Sequence, residues 1–328
     1  MKILITGASG FIGQHLTRHL ISLDHEVTGL VRSGSVVAAG EGDQVENNRK
    51  SDLTSAHILS LADISDITAA HLDGIELVIH LVAVTHKPGS DKSEYYRVNV
   101  EGTQQLLDSC VEAGVKRIIY LSSIKAIGER SILPLKTNST PTPEDDYGKT
   151  KLEAERLLIA ENNIEKVILR VPLVYGSGAK GNFASLVKLV GSGIPLPFVS
   201  IHNRRSYLGI QNLCDFFSLC ITLESLPTHI FHISDGPSVS LAGLVKCLYE
   251  AMGSPSRSFW APSSLVELLS TAVLGRTRAE KLFGDLELDM LATSKHMGWV
   301  PRYSMQQGLA EMFTPAERQP VENPTESS

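Results

Sequence analysis

The stretch DDYGKTK places Tyr147 and Lys151 four residues apart. A helix beginning there carries the phenol and the ammonium on one face, one turn apart. An unperturbed phenol loses its proton near pH ~10 and a lysine ammonium near ~10.4. Positive charge beside the phenol favours the phenolate and brings the tyrosine into the range useful for moving a hydroxyl proton. In isolation, Tyr-x-x-x-Lys is more often the start of a solvated surface helix. Here it follows the apolar run RIIYLS and the pair Ser122-Ser123, and a second motif near the chain start changes the balance.

That motif is LITGASGFIG, with Gly7, Gly10 and Gly13 between an apolar strand and a helix, opened by Thr6. Glycine permits a tight turn, close approach of backbone to a pyrophosphate, and close packing of helix on strand. The helix start then offers N–H groups to an anion. The spacing is Gly-x-x-Gly-x-x-Gly rather than Gly-x-Gly-x-x-Gly. A glycine triplet alone can be a mere strand–helix turn; its position directly after an apolar strand favours a dinucleotide site.

The elements that must position these residues alternate short β-rich runs with helical patterns, the signature of a parallel sheet. Strands are expected at 2–6, 26–31, 57–62, 76–84, 117–122 and, as one buried strand leaving the sheet, 166–176. Helices are expected after the glycines through Leu20, from about Ser93 to Ala113, and at 147–161. Residues 33–56 read as a long surface loop. Beyond residue 176 the alternation becomes irregular. The expected organisation is a doubly wound, Rossmann-type α/β domain over 1–175, a smaller C-terminal substrate-binding lobe over 176–313 from which the chain returns to the core, and a disordered tail over 314–328.

A net charge of −6 without a basic cluster argues against a nucleic-acid partner. No apolar run is long enough to span a bilayer, and the N-terminus enters a strand without a signal-peptide layout. Cys110, Cys214, Cys220 and Cys247 lack metal-like spacing and read as reduced thiols. A cytoplasmic protein without a metal is expected.

With these motifs in order, the sequence resembles the extended short-chain dehydrogenase/reductase family, especially its nucleotide-sugar epimerases, dehydratases and ketoreductases, from Lys2 to about Leu309. The resemblance implies an NAD(P)(H) cofactor whose phosphate end is lined by Gly7, Ser9, Gly10, Phe11, Ile12 and Gly13. Asp63 and Ile64 of ADIS would hold the adenine; Asp52-Leu53 competes, but only Asp63 directly follows an apolar strand. Leu81 and Ala83 of HLVAV would lie against the cofactor, with Val82 departing from the usual His-Leu-Ala-Ala. Asn99 would support the sheet and the cofactor site, and Pro172 lies in the strand passing the nicotinamide. The family assigns proton transfer to Tyr147, charge and ribose contact to Lys151, and a substrate hydrogen bond to Ser123. Thr85 falls beside the expected nicotinamide, as does His86, which reads equally as a substrate contact or a solvated loop residue.

Dehydratases of the family carry Thr-Asp-Glu near the serine. This chain has Ser123-Ile124-Lys125, with no carboxylate in that run, which argues against water elimination. In the C-terminal half, Asn182 of YGSGAKGNF and Arg205 of NRRSYLGIQNL match segments that hold a sugar nucleotide, and a guanidinium suits a diphosphate because its donors form a fixed fork. Lys281 stands where relatives often place a second phosphate-binding arginine, with Arg278 as its competitor. The blocks KGNF, NRRS and HMGWVP resemble a subgroup handling UDP-N-acetyl-6-deoxy-4-keto-hexosamines in bacterial polysaccharide synthesis. The expected activity is oxidoreduction at C4 of a UDP-linked amino sugar. Arg32 at the end of the second strand, where NAD enzymes usually have a carboxylate, leans the reading towards NADP(H) and 4-ketoreduction. A 4-epimerase is the alternative, and a dinucleotide-sensing regulator a remoter one. The apolar segment 262–275 reads as a core helix or, less often, as a contact with a membrane or polyprenyl-linked sugar. A homodimer through helices 93–113 and 147–162 is implied by the family.

Overall fold

A computed structural model describes residues 1–34, 56–85, 91–225 and 229–314. Strands β1 (Lys2–Thr6), β2 (Glu26–Arg32), β3 (His57–Leu61), β4 (Leu77–His80), β5 (Arg117–Ser123), β6 (Glu165–Val171), β7 (Leu173–Tyr175), β8 (Tyr207–Gly209) and β9 (His229–His232) alternate with helices. These are α1 (Phe11–Ser22), α2 (Lys92–Tyr96), α3 (Gly102–Glu112), α4 (Asp146–Ala160), α5 (Asn182–Gly191), α6 (Ile210–Thr222), α7 (Leu241–Ala251), α8 (Ser263–Leu274), α9 (Arg276–Phe283), α10 (Leu291–Met297) and α11 (Met305–Phe313). Seven strands form one parallel sheet in the order β3-β2-β1-β4-β5-β6-β9.

Period-two alternation gives this sheet two faces, each needing cover. Ile3, Ile5, Leu77, Ile79, Ile119, Leu121, Val167 and Leu169 point to one side, where α1 and α6 bring Leu16, Leu20, Leu213, Phe216 and Phe217. Leu4, Val78, Ile118, Tyr120 and Ile168 point to the other, where α3 and α4 supply Leu106, Leu107, Ala154 and Leu158. The strand order reverses between β1 and β4, and ligands of such sheets bind at that switch point, beyond the carboxyl ends of the strands. The glycine turn, residues 81–85, Ser123 and Pro172 all fall at that end.

Several boundaries differ from expectation. The strand expected over 166–176 breaks at Pro172, which has no N–H for a ladder: β6 stays in the sheet, while β7 pairs with β8 in a separate two-stranded sheet. The strand expected over 76–84 keeps only Leu77–His80, because the N–H groups of Leu81 and Val82 turn onto Thr6 Oγ1 (3.0 and 3.3 Å). The helix expected over 93–113 contains a wider, π-helical turn at Arg97–Glu101 between α2 and α3. Beyond residue 176, α6 and β9 return to the main sheet. Helix α10 packs on β9, and α5, α7, α8, α9 and α11 gather around Tyr175, Phe183, Leu244, Leu248 and Leu309. All four cysteines are buried and none is in a disulfide. Among the described residues no helix is long and apolar enough to cross a membrane. The expected 33–56 loop lies mostly, and His86 and the tail beyond Thr314 wholly, outside the described residues.

Candidate active site

Strand β5 delivers Ser123 to the carboxyl edge, and α4 starts close by because Asp145 caps it, its Oδ1 accepting from the Gly148 N–H (2.8 Å). Gly148 is required there: a Cβ would stand 2.4 Å from the Lys125 carbonyl oxygen. Tyr147 is half-buried and hydrogen-bonded to the Ser123 side chain. Lys151 is 2 % exposed; its Nζ donates to the Leu121 carbonyl (2.8 Å) and lies 4.5 Å from the Tyr120 ring centroid and 5.9 Å from that of Tyr147. Enclosure pushes the Tyr147 phenol up to about 12, against the Ser123 hydrogen bond and with help from the Asp145 charge. Burial pulls Lys151 down to about 7, partly offset by Glu155. Protein alone therefore opposes the phenolate that the sequence pairing favours.

Glu155, a further turn along α4, forms a buried pair with Arg170 (Nη2–Oε2, 2.6 Å) and accepts from Ser122 Oγ (2.5 Å). The pair ties the helix of Tyr147 and Lys151 to the strands around Ser123. Single ions would be too costly to bury there.

The phosphate end is shaped by absent side chains. Gly7 has φ +73, and its carbonyl accepts from the Gly10 N–H (2.9 Å). A Cβ on Gly13 would come within 2.3 Å of that same carbonyl. Ser9, Phe11 and Ile12 complete the turn; Phe11 packs edge-on against His15 (5.4 Å between centroids). Asn99, on the wide turn, binds both Val84 groups, N–H to Oδ1 (2.7 Å) and Nδ2 to O (3.1 Å), and donates to Thr150 Oγ1 (3.0 Å). It thereby fixes the segment bearing Leu81, Ala83 and Thr85. Asp63 and Ile64 open a single helical turn after β3, the Asp63 carboxylate held by Arg97 (2.6 Å) and by the Ser65 N–H (3.1 Å). Arg32 is exposed at the end of β2, and Pro172 is buried between β6 and β7. The glycine cradle, the anchored 81–85 segment and the buried Lys151 fit an NAD-type dinucleotide.

Among the expected substrate residues, Asn182 is exposed at the start of α5. Arg205 is half-buried, with Nη1 donating to the Gly284 carbonyl (2.8 Å). Lys281 approaches the catalytic end differently from expectation: its Nζ rests on Glu129 Oε2 (3.0 Å) and Asp145 Oδ2 (3.6 Å). Lys125 holds the same carboxylates, Asp145 at 2.6 Å and Glu129 at 3.5 Å. The Ser123-Ile124-Lys125 run itself holds no carboxylate. The fold brings two, Glu129 and Asp145, to the Nζ of Lys125; Asp145, a residue type favoured at a helix cap, stands just before the DYGKTK helix, while nothing local marks Glu129. Glu129, Arg130, Glu144, Asp145, Glu280 and Lys281 line a cavity of about 220 Å³. A larger hollow of about 760 Å³ lies at the opposite edge of the sheet, near Met1, Glu76 and Arg117, away from this chemistry.

A doubly wound sheet that brings a glycine cradle and a serine–tyrosine–lysine set to its switch point defines an extended short-chain dehydrogenase/reductase. The chain belongs to the NAD dependent epimerase/dehydratase family, whose model matches residues 3–233, and it is an enzyme of that type. It is 35% identical to a UDP-glucose 4-epimerase of Vibrio cholerae over 94% of each chain. A 3 beta-hydroxysteroid dehydrogenase/Delta 5-->4-isomerase of Mycobacterium tuberculosis is 26% identical over 94% of this chain and 89% of its own. In structure it is similar to UDP-glucuronic acid 4-epimerase from Bacillus cereus in complex with NAD, at a TM-score of 0.74 and 24% identity, covering 95% of this chain and 97% of that one.

Proposed function

We propose that the protein is a 4-epimerase of a UDP-linked hexose or N-acetylhexosamine, oxidising C4 and reducing it again on the other face. The observation that carries this reading is the 35% identity to a UDP-glucose 4-epimerase over 94% of both chains. The Ser123–Tyr147–Lys151 geometry supports alcohol–ketone chemistry of that kind. In this reading Tyr147 takes the proton from the C4 hydroxyl and later returns it, a role that needs the phenolate. Ser123 hydrogen-bonds the same oxygen. Lys151, anchored on the Leu121 carbonyl, supplies positive charge to the phenolate and donors to the nicotinamide ribose. An NAD held by the glycine turn, the 81–85 segment and Lys151 would supply a hydride acceptor and donor for C4, and its nicotinamide cation would add positive charge beside Tyr147. Arg205 and Asn182 hold the diphosphate while the keto-sugar turns. Lys281 comes second to Arg205, because Glu129 and Asp145 already match its charge.

Arg32 favours a second reading, a 4-ketoreductase using NADPH, since a cation at the end of β2 suits a 2′-phosphate. The two part experimentally. The epimerase retains NAD through purification and interconverts UDP-glucose and UDP-galactose, or the N-acetyl pair, without added reductant. Stoichiometric consumption of NADPH with a UDP-4-keto-6-deoxy-N-acetylhexosamine, and no epimerisation, would replace it with the reductase. For assembly we propose a homodimer through α2–α3 and α4, which sedimentation tests.

A further inference from the structure

Helix α4 faces a conflict at its first turn. Its N-cap, Asp145, satisfies the Gly148 N–H, and a carboxylate is favoured at a helix start. Yet Asp145 stands two residues before Tyr147, and its charge disfavours the phenolate that proton transfer requires. Lys125 meets that conflict. It lies on the turn directly after Ser123, to whose Oγ its N–H donates (3.3 Å). Its Nζ is 2.6 Å from Asp145 Oδ2 and 5.9 Å from the Tyr147 ring centroid, the same centroid distance as Lys151 Nζ. Two ammoniums from different elements therefore lie equally far from one phenol ring. The nearer charge on Asp145 is that of Lys125, since Lys281 is 3.6 Å away.

We propose that Lys125 is a positioning residue for proton transfer: as counter-ion of Asp145 it lets the carboxylate cap α4 without opposing the Tyr147 phenolate. The proposal rests on the reading that Tyr147 carries the C4 proton. The other groups facing this corner are Tyr120 and Ser123 from β5, Lys151 and Glu155 along α4, Glu129 after the Lys125 turn, Lys281 from α9, Arg205 beside Glu129, and His80 beside Tyr120. Of these, Glu129 shares Lys125 at 3.5 Å and is itself matched by Lys281 at 3.0 Å. Asp145 is thus the anion that loss of Lys125 uncovers most.

The test is a tyrosinate absorbance titration at saturating NAD, each variant corrected by the same protein carrying Tyr147→Phe, alongside the pH dependence of kcat/KM. Lys125→Met should raise the titration midpoint and the acid limb of kcat/KM together, by about one pH unit, the scale of a neighbouring charge. Adding Asp145→Asn, which keeps a capping side chain, should bring both back towards wild type, and Lys125→Arg should leave them in place. A Lys125→Met protein that loses turnover or thermal stability with both midpoints unmoved overturns the proposal. So does a double variant that shifts as far as the single one. Should Lys125→Met not fold, Lys125→Gln gives the same comparison, since its amide still reaches Asp145. Failure of the underlying reading looks different: Tyr147→Phe alone would keep its turnover.

Discussion

Tyr147 holds a phenol that protein alone pushes up to about 12, beside a lysine brought down to about 7. Both shifts come from burial, which penalises whichever form is charged. The site is thus poised for added positive charge to convert phenol to phenolate. Replacing Tyr147 by Phe removes one oxygen and leaves the ring packing. Turnover should fall by about 10²–10⁴-fold, the usual contribution of a general acid–base group, with NAD affinity nearly unchanged. Single-turnover kinetics and a cofactor titration on the same preparation check this. Retention of more than half of the wild-type chemical rate would remove Tyr147 from the proton path.

At the scale of elements, the wide turn between α2 and α3 anchors the segment after β4, the wall proposed for the cofactor. Gly102 at its end packs under Ile64, where a Cβ would come within 2.3 Å of Ile64 Cγ2. The extra residue in the turn accompanies a 1 % exposed Asn99 whose amide serves Val84 on one side and Thr150 on the other. One side chain thus couples the segment after β4 to α4, one residue before Lys151. Asn99→Ala should cost roughly 2–3 kcal/mol, three hydrogen bonds at about 1 kcal/mol each. Denaturant unfolding measures that loss. Cofactor affinity should weaken with it, because the freed Val84 groups no longer hold Leu81 and Ala83. An unchanged unfolding midpoint would mean that water replaces the amide at no cost.

For the molecule as a whole, the centre of the sheet carries an acid-sensitive group. His80 is fully buried; its Nε2 meets Thr103 Oγ1 (3.0 Å) and its Nδ1 meets Thr6 Oγ1 (2.7 Å). The Thr103 hydroxyl donates to the Asn99 carbonyl (2.8 Å), so it accepts from Nε2–H, and Nδ1 accepts from Thr6. This network holds the imidazole neutral, and burial, helped by the Lys151 charge, lowers its pKa from 6.5 to about 3. As pH falls between those values the unfolded chain takes up a proton that the native one does not, so stability drops with falling pH. His80→Gln, whose amide can make the same two bonds, should remove about one proton from the uptake linked to unfolding between pH 6 and 4. Some slope should remain, since His232 is also lowered, to about 4. Chemical denaturation across that range reads both slopes, and identical slopes would show that His80 does not titrate in unfolding.

What the sequence determined by itself is whatever one continuous stretch encodes. Gly7, Gly10 and Gly13 follow β1 directly, so strand, turn and helix start are legible together. Tyr147 and Lys151 share a face because helical geometry fixes four-residue spacing. The alternation of Ile3, Leu4 and Ile5, repeated in β4, β5 and β6, requires cover on two sides. The tertiary structure alone decided the rest. Pro172 splits a continuous apolar run because β7 finds its hydrogen-bond partner in β8, more than thirty residues on. Lys281 meets Glu129 and Asp145, and Lys125 meets both as well. No spacing rule reaches those pairings, because ion pairs act through space and their partners meet only after the sheet and its lobe have packed.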